Sequence, residues 1–515
     1  MTTALRAWAA DGRYALRSLW HRPAITAVAV ATLAIGSGAA TTTFAVVDSI
    51  LLEPLAYPGA AEVVAIWHDA PGAPFPLEGG GLFASASMLF TYADENGVFE
   101  SIGLWTPGVA TVTGDGEPEE VPRAAVTIGV FETLGVPPLL GRWFNAADVE
   151  DSDQTVMLSY GYWQRRFGGD RGVIGRALTL NGNAQPTEIV GVMPQGFRIA
   201  DTEADLFLGP MRFPRDSLTL VPFAYYGVAR LKDGMTIADA NADIARMIPI
   251  WLASWPSGAD PDAIADMRIS PAVRALKQDV VGAIGDVLWL VMAAIGVVLV
   301  IACANVANLM LMRAAARRHE LAIRAALGAG VGRLRRALRL EGVAIGFASG
   351  LVGIAIAEAG LRVLFALAPA NLPRLTEVSL DAEVIAAALA VASLAGFIIG
   401  LVAAGKVRDA EITEDLHAGG RTSSGGREQH RIQQSLVVAQ VALAVVVLVC
   451  AGLAIRTVDA LRALDPGFTG AEQVQTLRIS MRAGQVPEPE RVARRQQQIV
   501  EAIAALPGVS AVGFA

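Results

Sequence analysis

Charge is scarce in this chain. Only 17% of its 515 residues are Asp, Glu, Lys or Arg, against 53% apolar. With a mean hydropathy of +0.46, that balance excludes a disordered polypeptide and departs from that of a soluble globular domain. Cysteine is nearly absent. The two present, Cys303 and Cys450, both lie in apolar runs, so no disulfide framework is supported. The five histidines, at 21, 68, 319, 417 and 430, make no metal-ligand spacing. No P-loop occurs. The run Gly328-Ala329-Gly330-Val331-Gly332 lacks a following Lys-Ser or Lys-Thr and lies between helical stretches, not after a strand. No serine or cysteine sits in a nucleophile setting. The chain is therefore read as no enzyme, with no metal and no cofactor of its own.

Long apolar sequence is what the chain has in abundance. One span, Pro23 to Val47, lies near the N-terminus, and none follows until Gly285–Met312, Gly342–Ala368, Val384–Ala404 and Leu436–Ile455. Each is long enough at helical rise to cross a hydrocarbon core of about 30 Å. The first is far longer than the roughly 7–15 apolar residues of a signal-peptide core. Arginine sets the orientation. Arg6, Arg13, Arg17 and Arg22 precede the first span. Eight arginines from Arg313 to Arg339 follow the second, and Lys406, Arg408, Arg421, Arg427 and Arg431 follow the fourth. The connection Pro369–Asp381 holds only Arg374. The positive-inside rule then places the N-terminus in the cytoplasm and Asp48–Ala283 and the tail after Ile455 outside. The net charge of −8 follows from topology and solubility and needs no nucleic-acid partner.

The predicted organisation is a cytoplasmic amphipathic segment (1–22), a first span (23–47), an extracytoplasmic α+β domain (48–283), three further spans (285–404) enclosing a connection at 313–339, a cytoplasmic linker (405–434), a fifth span (435–456) and a second external segment (457–515). Within the external domain the patterns predict strands at Glu62–His68, Val109–Thr113, Val121–Thr127, Thr155–Leu158, Tyr225–Leu231 and Met267–Val273. They also predict a helix at Ser87–Asn96 and an aromatic helix through Tyr160, Trp163 and Phe167. Arg176–Leu180 and Glu188–Val192 flank Asn181-Gly182, a hairpin signal. Thr236 with Asp239 three residues on reads as a capping box for a helix to about Leu252. The size of the domain admits two subdomains. The setting of the fifth span repeats that of the first: Val47-Asp48-Ser49-Ile50 matches Val458-Asp459-Ala460-Leu461, and Glu53-Pro54 matches Asp465-Pro466. A second copy of the unit is expected to begin near Arg431. It supplies a strand (Val474–Ser480), a helix (Pro489–Leu506) and a strand start (Val509–Phe514), so the chain is expected to be part of a longer protein.

Two groups of residues are candidates for function. The connection Arg313–Arg339 contains a short helix, Arg317–Leu327, with Glu320 and Arg324 at i,i+4. Leu321 and Ala325 share a small apolar face, and Gly328 ends the helix. It reads either as a basic connection in the lipid headgroups or as a docking helix, carrying Arg317, Arg318, Glu320, Leu321, Arg324, Leu327 and Gly328. Inside the spans, Asn305 and Asn308 are expected on one face, bonding between helices, while Glu358 and Arg362 form an i,i+4 pair.

Several stretches resemble the MacB/FtsX-type ABC transporter permeases, in particular the duplicated orphan permeases common in acidobacteria. They are Arg13–Pro58 (RYALRSLWHRPAITAVAVATLAIGSGAATTTFAVVDSILLEPLAYP), Phe131–Phe144 (FETLGVPPLLGRWF), Leu158–Asp170 (LSYGYWQRRFGGD) and, most specifically, Ile301–Ala329 (IACANVANLMLMRAAARRHELAIRAALGA). Leu436–Thr457 and Asp465–Phe468 resemble the start of a second half. Ala40 stands where the family usually has Asn, and Glu358 where relatives are apolar or aromatic.

The resemblance implies an α-helical membrane protein of five transmembrane helices with an α+β MacB-like periplasmic core domain, in a bacterial inner membrane. It implies a separate cytoplasmic ABC ATPase, engaged by the helix matching Arg317–Leu327, which holds the ATP. It is compatible with a second permease half or homodimer and with a periplasmic adaptor. Two functions fit: export or extrusion driven by that ATPase, and FtsX-like transmission of its motion to an external effector without cargo.

Overall fold

The computed structural model describes residues 17, 19–21, 23–77, 80–113, 118–150, 155–180, 186–282, 284–316, 331–367, 378–405, 425–463, 474–476 and 489–513. They belong to two units, Met1–Glu53 with Ala283–Ala471, and Pro54–Gly282 with Glu472–Ala515.

The first unit is helical because its sequence is apolar on every side. Among the described residues, five helices are long and apolar enough to cross a membrane. Span 1 is Pro23–Val47, prolonged by a π-helical turn at Asp48–Leu52; spans 2 to 5 lie within the helices Ile284–Ala316, Val331–Leu367, Ala382–Ala404 and Gly425–Arg462. Spans 1, 3 and 4 pack through glycine. A side chain at Gly342 would overlap the Gly396 carbonyl oxygen and stand 2.9 Å from Gly400 Cα. One at Gly38 would lie 2.8 Å from Ile356 Cβ, and one at Gly353 2.5 Å from Ser37 Oγ. Lipid offers no hydrophobic drive between helices, so close backbone approach supplies the association. Span 5 lies against span 2 and buries none of its apolar stretch.

Among the described residues the second unit carries thirteen strands: β1 (Val63–Ile66), β2 (His68–Asp69), β3 (Ala84–Ser85), β4 (Phe99–Thr113), β5 (Glu119–Val126), β6 (Leu140–Gly141), β7 (Thr155–Leu158), β8 (Ala177–Leu180), β9 (Thr187–Val192), β10 (Leu206–Leu208), β11 (Phe223–Leu231), β12 (Ser270–Pro271) and β13 (Arg274–Ala275). Eleven form one mixed sheet with the path β13-β1-β11-β4-β5-β10-β7-β9-β6, β3 and β8 pairing off it, while β12 and β2 pair separately. One sheet thus runs through the whole region that its length alone could have divided. β1 is buried at all four positions. Val63 and Ala65 join a core with the helix Gly129–Leu134, and Val64 and Ile66 join another with Ala86–Glu95 and Ile237–Ser254. A strand covered on both faces reads as a continuous apolar run. A third core gathers Val112, Val156, Leu158 and Ile189 beneath Tyr162 and Trp163 of the helix Tyr160–Phe167.

The capping box at Thr236 forms: its hydroxyl accepts from Asp239 N at 3.2 Å, and Asp239 Oδ2 accepts from Thr236 N at 2.9 Å. Thr236→Ala is expected to lower stability by about 1 kcal/mol, read as a small drop in melting temperature of the full chain.

Three predictions need correction. Met267–Val273 is not one strand. Arg268 takes a left-handed φ of 50° and Pro271 lacks an N–H, so only the two-residue pieces β12 and β13 pair. The strand at Val109–Thr113 begins ten residues earlier at Phe99; Gly103 and Pro107-Gly108 disguise it as a turn. Gly103 is needed because the backbone of Val130 sits where its side chain would be. In the tail the helix is present at Pro489–Ala504, whereas 474–476 and 509–513 form no strand. The rest of Val474–Ser480, the Asn181-Gly182 turn and most of segment 1–22 lie outside the described residues.

Candidate functional site

Residues 317–330, with Arg317, Arg318, Glu320, Leu321, Arg324, Leu327 and Gly328, lie outside the described residues. Their flanks do not. The helix of span 2 continues to Ala316, and that of span 3 begins at Val331, so Arg333, Arg335, Arg336 and Arg339 ride on a helix that enters the apolar region unbroken. Two charges at these flanks are buried. Arg313 is 3% exposed and Glu341 2%. Arg313 Nη1 donates to Thr26 Oγ1 at 3.3 Å, and the Thr26 hydroxyl donates to the Leu19 carbonyl at 3.1 Å. This ties the last turns of span 2 to the start of span 1. Around them Leu19, Val306, Met310, Ile345 and Ile399 form an apolar cluster. Sequence reasoning counted Arg313 only as an orientation marker and passed over Glu341. The available signal was an acid placed directly before one apolar run and a base directly after another.

Asn305 is exposed, and Asn308 Oδ1 is buried with no hydrogen-bond partner among the described residues. The turn of the helix places the apolar contacts on Val306, Ala307 and Met310 instead. Glu358 and Arg362 do pair, at 2.9 Å, with the Arg362 side chain 76% exposed. Such an exposed pair orients itself more than it holds the bundle. Both cysteines are free. Asp48, Glu53 and Asp381 bring carboxylate oxygens within 4.8 Å of one another. Asp381 already caps span 4, accepting from Val384 N at 2.8 Å, and the cluster alone assigns no metal.

In the external unit His68 is fully buried, with Nε2 2.7 Å from the Tyr92 hydroxyl. Desolvation pushes its pKa down to about 4 and raises that of Tyr92. The pair is neutral at neutral pH and links the strand β2 to the helix Ala86–Glu95. Arg142 forks onto Asp148 at 2.6 and 2.8 Å, which holds that carboxyl below its usual range. These contacts tie elements of the fold together.

Among curated proteins none matches the chain. Solved structures resemble part of it, among them the following three. A domain of a putative permease protein from Porphyromonas gingivalis is 17% identical, over 42% of this chain and 92% of that one, with a TM-score of 0.33. The extracellular domain of the noncanonic ABC-type transporter YknZ from Gram-positive bacteria is 14% identical, over 36% and 93%, at 0.28. The periplasmic region of MacB from Actinobacillus actinomycetemcomitans is 12% identical, over 42% and 91%, at 0.31. Family models are more direct. The MacB-like periplasmic core domain matches residues 26–247, and the FtsX-like permease C-terminal domain matches 292–412. The two run consecutively, one reaching from span 1 through most of the external sheet and the other across spans 2 to 4, and the chain belongs to the MacB/FtsX-type ABC transporter permeases.

Proposed function

We propose that this chain is the permease subunit of an export system whose ATPase is a separate cytoplasmic protein. The observation that carries the reading is the insertion of the external sheet unit, Pro54–Gly282, between spans 1 and 2 of the helical unit. A segment joined at one end to span 1 and at the other to span 2 responds to relative displacement of those two helices. In this reading the N-terminus, 313–339 and 405–434 face the cytoplasm, because their arginines hold them there. Leu321 and its neighbours engage the ATPase, and the buried Arg313 and Glu341 make the flanks of that segment stiff enough to pass its motion on. ATP stays on the partner.

Leu321→Asp is expected to reduce the ATPase recovered with the affinity-purified full chain at least tenfold, with the yield of the chain itself unchanged. Equal recovery sinks the docking assignment. A second reading is an FtsX-like transmitter that moves no cargo. The backbone-to-backbone contact of Gly342 with Gly396 favours it, since it leaves no passage between spans 3 and 4 at that level. Vesicles holding the chain and its ATPase, loaded with a labelled hydrophobic peptide, separate the two: ATP-dependent flux supports export, and ATPase activity without flux supports the transmitter.

A further inference from the structure

Between span 1 and β1 the chain forms a strap, Pro54–Glu62. Its counterpart at the far end of the unit is held by a ladder: β13 pairs antiparallel with β1, Ala65 opposite Arg274 and Val64 opposite Ala275. The strap precedes β1 and is held differently. The Tyr57 hydroxyl donates to the Arg198 carbonyl at 2.8 Å and accepts from Ala200 N at 3.0 Å. Leu55 lies in the apolar core, and Tyr57 and Ala60 pack against it. A network of polar contacts to the strap comes from one side chain, Arg230 of β11.

Arg230 is 12% exposed and uses its whole fork. Nε and Nη2 donate to the Thr133 carbonyl at 3.1 and 2.7 Å, Nη2 to the Pro58 carbonyl at 2.9 Å, and Nη1 to the Gly59 carbonyl at 3.3 Å and Glu62 Oε2 at 3.2 Å. Thr133 belongs to the last turn of the helix Gly129–Leu134, where carbonyls lack intrahelical donors. Two left-handed glycines make the cradle. Gly59 has φ 60° and Gly135 φ 68°. A side chain at Gly59 would come 2.7 Å from Nη1, and one at Gly135 3.4 Å from Nη2. A lysine could reach one of these carbonyls but could not fork across strap, helix and strand.

We propose that Arg230 is a coupling clamp: it fastens the strap that follows span 1 to the sheet and to the helix Gly129–Leu134, so that displacement of the strap moves the sheet as a body instead of peeling residues 57–62. The source of the displacement rests on the permease reading; the clamp does not. Arg230 acts through the strap and is a positioning residue.

The test uses the full chain in nanodiscs, pulled between handles on Ala56→Cys and Asp233→Cys. Wild type is expected to yield without a separate strap step. Arg230→Ala and Arg230→Lys are expected to release the strap first, at half the force or less, as an extra extension of roughly 20 Å for six residues. A staple supplies the rescue. A Cβ built at Gly135 lies 3.9 Å from Pro58 Cβ, close to the ~3.8 Å of a disulfide. Arg230→Ala with Pro58→Cys and Gly135→Cys is therefore expected to lose the early step when oxidised and regain it in dithiothreitol. The same protein serves in both states, so any folding defect or strain at Gly135 cancels. Wild-type force in Arg230→Ala, or an oxidised staple that leaves the early step in place, overturns the clamp.

A second arm measures hydrogen exchange with and without a non-hydrolysable ATP analogue on the chain with its co-purifying ATPase. Arg230→Ala is expected to lose at least four-fifths of the nucleotide-dependent difference at β1 and β11, to keep it at the ends of the spans, and to recover it with the oxidised staple. Retention of the full difference at β1 and β11 in Arg230→Ala also overturns the clamp. A wild type with no nucleotide response refutes the permease reading instead, and the pulling result still decides the clamp.

Discussion

Gly396→Ala is expected to destabilise the full chain by about 3 kcal/mol or more, the upper range for overpacking, while Gly452→Ala leaves it unchanged or raises it by up to about 1 kcal/mol through helix propensity. The chemistry of the two exchanges is identical and both sites are helical glycines within spans. Their surroundings differ. A methyl on Gly396 would overlap the Gly342 carbonyl oxygen and stand 2.8 Å from Gly346 Cα, whereas nothing lies within 4 Å of the same methyl on Gly452. The obstruction at Gly396 is backbone, so no rotamer change relieves it and spans 3 and 4 must part. Parting also loosens Gly346 against Ala392 and Gly400 against Arg339, because all three contacts share one seam. Thermal denaturation of the two variants in nanodiscs checks this. Equal melting temperatures would show that the seam does not hold the bundle.

The second large effect is a loss of stability in acid, carried by His68. Its folded pKa of about 4 lies below the ordinary 6.5 because burial disfavours the imidazolium. The unfolded chain therefore takes up the proton first. Above pH 6.5 both states are neutral and nothing is lost. Between 6.5 and about 4 the unfolded state gains, and by pH 4 the penalty reaches about 3 kcal/mol. His68→Gln, which has an amide to offer the Tyr92 hydroxyl and no proton to gain, is expected to flatten that window. Two carboxyls act elsewhere. Asp148, held low by Arg142, loses its contribution only as pH falls below 3.8. Asp201, pushed up by burial, works in the opposite sense and relaxes on acidification. Melts of the full chain from pH 4.5 to 7.5 decide the matter, and parallel slopes for wild type and His68→Gln would refute the assignment.

The legibility of the chain followed the physics of each segment. The five spans were visible because an uninterrupted apolar run has few alternatives to a membrane helix. The capping box at Thr236 and the pairing of Ala177–Leu180 with Thr187–Val192 were visible because they are local. β4 was half hidden: Gly103 serves a neighbouring backbone, and its requirement comes from residues 129–130, distant in sequence. The seam of spans 3 and 4 also needs two stretches about fifty residues apart to be seen together. Arg230 was invisible for a related reason. Its partners come from the strap, from a helix end and from one acid, and no spacing in the sequence links them. Arg313 and Glu341 looked like ordinary flanking charges until their burial distinguished them.

The pairing of β13 with β1 has a further consequence for the external fold. Its entrance and exit are adjacent strands, bonded to each other through Val64 and Ala65. A fold whose two ends meet can be spliced into a connection between helices without stretching that connection, and can be removed or enlarged in the same way. The sheet is in this sense a cartridge: its loops can lengthen, shorten or change sequence through evolution while its first and last strands stay paired.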